Sequence, residues 1–290
     1  VGWGILLAAS LTFSLQTYSE VDSSPARQKD GEPDGWTLVW SDEFDTPGAP
    51  NPEKWDYDVG GHGWGNAELQ YYTRDRPENA RVENGRLIIE ARHEEWEGMD
   101  FTSARLVTRG RASWLHGRFE IRARLPEGRG TWSALWMLPD EWNIGSGNWP
   151  DVGEIDIMEH VGYDSGVIHA TVHSKKFFYK WNENSPKSAS IVIPGASAEF
   201  HTYVLEWSED AIRAYVDEHL YFVFENPGEG WTSWPYTGPF HLLLNIAVGG
   251  HWGGQEGVDE KVFPQRMEVE YVRVFQRVPT VSSGSADPME

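Results

Sequence analysis

The chain contains no cysteine, which excludes disulfide bonds and thiolate metal sites. Long apolar runs are also missing: the apolar stretch at 4–15 is too short to span a bilayer, which takes about 20 residues. Basic residues are scarce, with 24 Lys and Arg against 45 Asp and Glu and a formal net charge of −21. This charge argues against nucleic acid, a membrane surface or a sulfated polysaccharide as a partner.

The two ends of the chain differ in composition from its middle. The stretch at 4–15 has the length of the apolar region of a secretion signal, but no basic segment precedes it. We therefore expect residues 1–18 to be a truncated signal segment and the protein to be secreted and extracellular. The composition of 19–35 is typical of a linker, and that of 278–290 of a flexible tail. Residues 36–277 are left as one large domain.

Within that domain the sequence predicts strands and turns. Residues 117–125 alternate strictly between apolar and charged side chains, and 85–92 repeat the pattern. Only 228–236 suggests a short helix or turn. A dozen strands without the spacing of βαβ units favour an all-β fold, an antiparallel two-sheet sandwich. The other predicted strands are 68–73, 103–109, 131–138, 167–174, 200–207, 211–217, 219–224, 240–248 and 266–276.

Aromatic side chains are abundant, at 16 Trp, 11 Tyr and 12 Phe. Many must be buried, because large rings are a major source of stability in a core. Sugar rings also stack their C–H faces on indole. Part of the tryptophans would therefore suit a carbohydrate-binding surface.

Three acids stand close together in the segment WPDVGEIDIMEHV, residues 149–161, which otherwise suits burial. In an extended strand Glu154 and Asp156 share one face, whereas Glu159 is out of phase by one position. An extra residue at Met158, accommodated as a β-bulge, would return Glu159 to that face. Paired carboxylates with separated pKa values carry out glycoside hydrolysis. The alternative is three acids scattered on a solvated strand of an acidic chain.

A set of motifs runs in order through the domain: WSDEFD at 40–45, GNAELQYYT at 65–73, SARL at 103–106, TWSALWMLP at 131–139, GEIDIMEH at 153–160, ATVHS at 170–174, NIAVGG at 245–250 and YVRVF at 271–275. This set resembles glycoside hydrolase family 16, in its laminarinase branch. The resemblance implies a jelly-roll sandwich whose concave face holds an open substrate cleft.

The resemblance also implies catalytic roles. Glu154 would be the nucleophile, Glu159 the general acid/base and Asp156 an auxiliary acid between them. A retaining mechanism needs the two principal carboxyl groups about 5–5.5 Å apart, which bulge and strand curvature would have to provide. Met158 points to the β-1,3-glucanase class, because relatives with strict lichenase specificity usually lack this residue.

The resemblance further implies a set of substrate-binding residues: Asn66, Arg105, Trp132, Trp136, Trp149, His173 and Trp252. Core packing is the alternative for the tryptophans, although the Gly-rich loop around Trp252 is a poor place to bury a core residue. Arg105 could instead pair with a carboxylate, and His173 could be structural or could donate to substrate or to Asp156. His169 lies four positions before His173, but no third ligand motif supports zinc.

No cofactor is expected for catalysis, but the resemblance implies a structural calcium ion on the convex side. The matching positions are Glu43, the carbonyl of Gly85 and Glu270, where an Asp is usual. Calcium accepts such hard oxygen ligands, although the longer side chain at 270 changes the geometry. The alternative is three unrelated surface positions.

We therefore expect a secreted, monomeric, retaining endo-β-1,3-glucanase that binds β-glucan and also cleaves mixed-linkage β-1,3-1,4-glucan. An agarase or another polysaccharide specificity on the same fold is the first alternative. A glucan-binding protein without activity is the second, although such relatives generally lose one of the three acids. The loops at 140–149 and 175–199 are candidates for closing one end of the cleft.

Overall fold

The computed structural model describes residues 33, 35–178 and 187–277. In these ranges the chain forms seventeen strands and a single 3-10 turn at Glu260–Val262, with no α-helix. No helix in the described ranges is long and apolar enough to cross a membrane. The predicted signal segment and tail, and nearly all of the predicted linker, lie outside the described residues.

The strands, in chain order, are β1 (Thr37–Asp42), β2 (Asp56–Asp58), β3 (Gln70–Tyr72), β4 (Ala80–Glu83), β5 (Arg86–Trp96), β6 (Met99–Ser103), β7 (Arg105–Val107), β8 (Gly117–Arg124), β9 (Thr131–Pro139), β10 (Glu154–Val161), β11 (Val167–His173), β12 (Lys187–Val192), β13 (His201–Trp207), β14 (Ala211–Val216), β15 (His219–Glu225), β16 (Phe240–Val248) and β17 (Gln265–Gln276).

The strands form two sheets. The first has the order β15-β14-β13-β8-β17-β5-β6-β3, with β1 also paired to β17 and β4 to β5. The second has the order β12-β11-β10-β9-β16-β7-β2. All pairs between these strands are antiparallel except β3 with β6, which is parallel. The predicted two-sheet sandwich is thus confirmed, with one parallel pair where only antiparallel pairs were expected.

The core lies between the two sheets, and the alternation of apolar residues explains which side chains enter it. On β8, Phe119 and Ile121 are fully buried, while the charged residues that alternate with them, Arg118, Glu120 and Arg122, remain partly exposed. On the second sheet, Leu135, Met137 and Ile155 are buried in the same cluster. The opposite face of β9 and β10 therefore points away from the core, and this face carries the three acids.

Several short strands were not predicted from the sequence. The strands β2 and β4 have three and four residues, too few for an alternating pattern to stand out. Within the strand predicted at 68–73, only the three residues of β3 form a strand. Residues 228–236 form turns rather than a helix.

Candidate active site

Strand β10 contains the predicted bulge. Against β9, Asp156 faces Trp136 and Met158 already faces Leu135, so one additional residue is inserted in β10. The pairing with β11 is shifted in the same stretch, between Asp156 and Glu159. The side chains of Ile157 and Met158 are both buried in the core. Glu159 consequently returns to the face of Asp156, as the sequence predicted.

A histidine on the neighbouring strand lies against the acids. His173 is paired with Glu154 across β10 and β11, and its Nε2 lies 3.2 Å from Oδ2 of Asp156. The same nitrogen is 3.6 Å from Oε1 of Glu154. The ligand-type atoms of these three residues all lie within 4.8 Å of one another. An imidazole in this position can stabilise negative charge that develops on either carboxyl group.

Burial raises the pKa of all three carboxyl groups, to about 8 in each case. The charge of Asp156 raises the pKa of Glu154 and of Glu159 further, whereas His173 lowers both. The three groups are close enough to titrate as one coupled cluster. Because neighbouring negative charges repel, one carboxyl group of the cluster can hold a proton while another is ionised, which is the division that a proton donor and a nucleophile need.

Trp132 contacts Glu159, and Trp252 packs against Trp132. Trp132 Nε1 donates a hydrogen bond to Oε1 of Glu159 at 3.1 Å, and this bond lowers the pKa of the carboxyl group against the effect of burial. The ring of Trp132 meets Trp252 edge to face at 5.6 Å, and Trp252 also contacts His169. His169 thus lies against an indole ring. Trp132 therefore contacts the acid directly and Trp252 contacts Trp132, and the substrate-binding roles of both stay predictions.

Arg105 is held between two indole rings. Its guanidinium lies 4.6 Å from the ring centre of Trp136 and 4.7 Å from that of Trp64. Its Nε is 3.1 Å from a carboxylate oxygen of Asp58. The alternative considered for Arg105, pairing with a carboxylate, therefore occurs. Stacking of this kind fixes the arginine and the two rings relative to one another.

Trp149 lies next to the acids at the start of the catalytic segment. Its ring is 5.7 Å from that of His173 and 4.7 Å from that of Phe178, and 39% of the residue is exposed. The loop before β10 is fixed by Asp151, whose carboxylate accepts a hydrogen bond from the Ser146 amide at 2.9 Å and forms an ion pair with Lys175. A large exposed ring on an anchored loop is suited to stacking on a sugar.

A line of hydrogen bonds runs from Trp136 to a buried acid. Trp136 Nε1 donates to Oδ1 of Asn245 at 2.8 Å, and Nδ2 of Asn245 donates to the Tyr72 hydroxyl at 3.0 Å. That hydroxyl lies 3.4 Å from Oε2 of Glu68, to which it donates. Oε1 of Glu68 accepts from Nδ2 of Asn66 at 3.1 Å. The predicted cleft residues Asn66 and Trp136 are thereby connected through side chains that had not been predicted.

Sequence reasoning missed Glu68, Tyr72 and Asn245, although all three stand inside the motifs. A usable signal was present: Glu68 and Tyr72 lie two periods apart in a predicted strand and therefore share a face. It also missed Trp64, which lies in a Gly-rich loop much as Trp252 does. A Gly-rich loop is as poor a place to bury Trp64 as it is to bury Trp252.

Two of the three positions proposed for calcium, Glu43 and Glu270, are engaged by arginines. Both carboxylate oxygens of Glu43 accept from Arg273 at 2.9 Å, and Glu270 accepts from Arg122 at 2.8 Å. An ion bound by these carboxylates would have to displace the guanidinium groups, so the side-chain arrangement does not fit calcium. The calcium site stays a prediction of the sequence, and no catalytic step depends on it.

Known proteins resemble the chain over nearly all of its described part. The model of glycosyl hydrolases family 16 matches residues 67–273. A β-glucanase of Rhodothermus marinus is 61% identical over 248 residues, which cover 84% of this chain and 86% of the relative. The X-ray structure of the laminarinase from Rhodothermus marinus has a TM-score of 0.82 and 59% identity, covering 84% of this chain and 98% of that one. SCLam, described as a non-specific endo-β-1,3(4)-glucanase, has a TM-score of 0.80 and 44% identity, covering 86% and 94%. The chain, with three acids on one face of a bulged strand, belongs to glycosyl hydrolases family 16.

Proposed function

We propose that this protein is an endo-β-1,3-glucanase that cleaves laminarin-type chains with retention of anomeric configuration. The observation that carries the proposal is the bulge at Met158, which turns Glu159 to the face of Glu154 and Asp156. Two carboxyl groups on one face can attack a sugar and protonate its leaving group in the same event.

In the first step Glu154 attacks the anomeric carbon, and the bond from that carbon to the glycosidic oxygen breaks. Glu159 gives its proton to the departing oxygen, so the leaving group departs as an alcohol. The product is a glycosyl ester of Glu154. Burial and the charge of Asp156 raise the pKa of the Glu159 carboxyl group to about 8 and so favour its protonated form before this step. His173 and Arg105 favour the ionised form of Glu154, which is the form that attacks.

In the second step a water molecule attacks the same carbon, and the ester bond to Glu154 breaks. Glu159 takes a proton from the water and is thereby restored to its acid form. Asp156 lies between the two principal acids and beside His173, 3.2 Å away. We assign to this pair the stabilisation of charge as Glu154 alternates between carboxylate and ester.

The substrate class follows from the surface around the acids. Trp132, Trp136, Trp149 and Trp252 offer large apolar rings, and the formal charge of −21 favours a neutral polymer over a sulfated one. The relatives support a β-glucan: one is a β-glucanase, one a laminarinase and one a non-specific endo-β-1,3(4)-glucanase. We propose that mixed-linkage β-glucan is a second substrate.

Activity on laminarin, lichenan and agarose tests the proposal when reducing ends and product lengths are followed. We expect a mixture of short oligosaccharides from laminarin, slower or equal cleavage of lichenan, and none of agarose. Cleavage of agarose alone would keep the acids and overturn the substrate. Binding of laminarin without cleavage would favour a glucan-binding protein.

The catalytic assignment is tested with Glu154→Gln and Glu159→Gln. Each should lower turnover by several orders of magnitude with the fold intact, because the amide can neither attack carbon nor exchange the required proton. Proton NMR of the wild-type reaction should detect the β-anomer as the first product. Near-normal turnover in either variant, or an α-anomer as first product, would refute the mechanism.

We also propose that the protein is secreted and acts as a monomer. The apolar stretch at 4–15 supports secretion, and an insoluble or very large glucan has to be met outside the cell. Light scattering on the purified protein should give the mass of one chain, 32.9 kDa. Activity in the culture medium of the source organism would support secretion, and activity confined to cells would contradict it.

A further inference from the structure

In the series of hydrogen bonds that leads from Trp136 to Glu68, each residue donates to the next. The indole N–H of Trp136 donates to Asn245, Asn245 donates to Tyr72, and Tyr72 donates to Glu68. The two ends determine this direction, because an indole can only donate and an ionised carboxylate can only accept. The amide of Asn245 is therefore held in one orientation, with its oxygen toward the indole.

The carboxylate of Glu68, at the end of this series, accepts hydrogen bonds from three side chains. Oε2 of Glu68 accepts from Nε2 of Gln70 at 2.6 Å as well as from Tyr72, and Oε1 accepts from Asn66. Gln70 is itself fixed, because its Oε1 accepts the Val248 amide at 2.7 Å. Burial raises the pKa of the Glu68 carboxyl group, and the three donors act against this by stabilising its ionised form. They also leave the carboxylate little freedom to rotate.

The intermediate residues are too deeply buried to contact a polysaccharide. Tyr72 is fully buried, Asn245 is 6% exposed and Glu68 is 7% exposed. Buried polar groups of this kind are costly unless each is satisfied, and here each has its partner. Their effect on a substrate must therefore pass through the groups at the surface, Trp136 and Asn66.

Trp136 is held from three directions. Its backbone pairs with Asp156 on one side and Leu243 on the other, and the guanidinium of Arg105 lies 4.6 Å from its ring. Stacking on Arg105 and packing against Leu243 orient the face of the ring. The hydrogen bond from Nε1 to Asn245 fixes the edge of the indole and so selects its direction within that stack.

We propose that Glu68, Tyr72 and Asn245 form a positioning unit that sets the orientation of Trp136, and of Asn66, as sugar-binding groups. The unit has no part in bond cleavage. The proposal rests on the proposed function for its effect on substrate, but its structural part does not depend on which polysaccharide is bound.

The test is Tyr72→Phe, which removes one hydroxyl group. The matched control is Tyr203→Phe, because Tyr203 is also fully buried and its hydroxyl has no hydrogen-bond partner within the described part of the chain. On laminari-oligosaccharides we expect Tyr72→Phe to raise KM by about five- to tenfold, the equivalent of about one hydrogen bond, with kcat changed by less than about twofold. The control should leave both constants unchanged.

A second readout does not need activity. The indole N–H resonance of Trp136, identified by its absence in Trp136→Phe, should shift and exchange faster with solvent in Tyr72→Phe but not in the control. If laminarin proves not to be the substrate while this resonance still moves, the proposed function fails and the positioning unit stands. An unchanged resonance with an unchanged KM would overturn the unit.

If Tyr72→Phe does not fold, Glu68→Gln tests the same positioning unit, because this substitution keeps the shape of the side chain. An amide can accept at one terminal atom only, so the set of donors around position 68 can no longer be satisfied. We expect the same rise in KM, with kcat retained. Equal changes in Tyr203→Phe would indicate general loosening of the core and would overturn the proposal.

Discussion

Trp132→Phe removes the indole N–H that donates to Glu159 and should extend activity to higher pH. A hydrogen bond to the ionised form lowers the pKa of a carboxyl group, so its removal must raise that pKa. The donor is neutral and lies 3.1 Å away in a partly buried position. A bond of this kind contributes about 1 kcal/mol, which corresponds to about 0.7 of a pKa unit.

The assay is the pH dependence of kcat/KM. Its alkaline limb reports loss of the proton from the general acid of the free enzyme, so the limb should move up by about 0.5–1 pH unit in Trp132→Phe. The control is Trp136→Phe, which removes the same N–H from an indole that donates to Asn245 and not to a carboxylate. Both variants should raise KM, but only the first should move the limb. A limb that stays in place or moves down in Trp132→Phe would refute the assignment of Glu159 as the acid under control of Trp132.

Two further predictions concern stability. A Cβ atom at Gly162, directly after β10, would lie 2.0 Å from the Gly128 carbonyl oxygen. We therefore expect Gly162→Ala to lower the free energy of unfolding, measured by chemical denaturation, by about 2–3 kcal/mol. The control is Gly238→Ala, where nothing lies within 4 Å of the added Cβ atom, and it should change this free energy by less than about 1 kcal/mol. Equal losses in the two variants would contradict the contact. The raised carboxyl pKa values mean that the folded protein holds protons that the unfolded chain releases, so its stability should fall as the pH rises from the ordinary carboxyl range toward about 8. Asp156→Asn removes one of these charges and should raise the free energy of unfolding at pH 8 by about 1 kcal/mol or more relative to the parent, with a smaller difference at pH 4, as measured by chemical denaturation at the two pH values. A larger gain at pH 4 than at pH 8 would contradict this sign.

The sequence alone allowed much of the fold to be predicted. Strict alternation placed Phe119 and Ile121 in the core and the charged residues that alternate with them outside, because successive side chains of a strand point to opposite faces. The same rule required a bulge at Met158 if the three acids were to share a face, and the strand pairing contains it. Short strands such as β2 were not predicted because three residues are too few to show an alternation of apolar and polar side chains.

Part of the candidate site was predictable from the sequence, but its connections were not. The sequence predicted Glu154, Asp156, Glu159 and the tryptophans around them from local pattern and from the family motifs, and missed the buried residues that connect them. It left open whether Arg105 would reach a carboxylate, and the fold answered this by placing Asp58 and two indole rings around it.

What the sequence determined by itself was local: which residues alternate, where a strand must bulge, which acids share a face, and which charge the surface carries. What only the tertiary structure decided was which distant residues meet. Tyr72 and Asn245 are 173 positions apart and touch because β16 passes beside the segment that carries Tyr72. Glu43 and Arg273, 230 positions apart, pair because β1 lies along β17. Contacts of this kind depend on sheet order, which no local periodicity encodes, and the directed hydrogen bonds beneath Trp136 exist only once that order is in place.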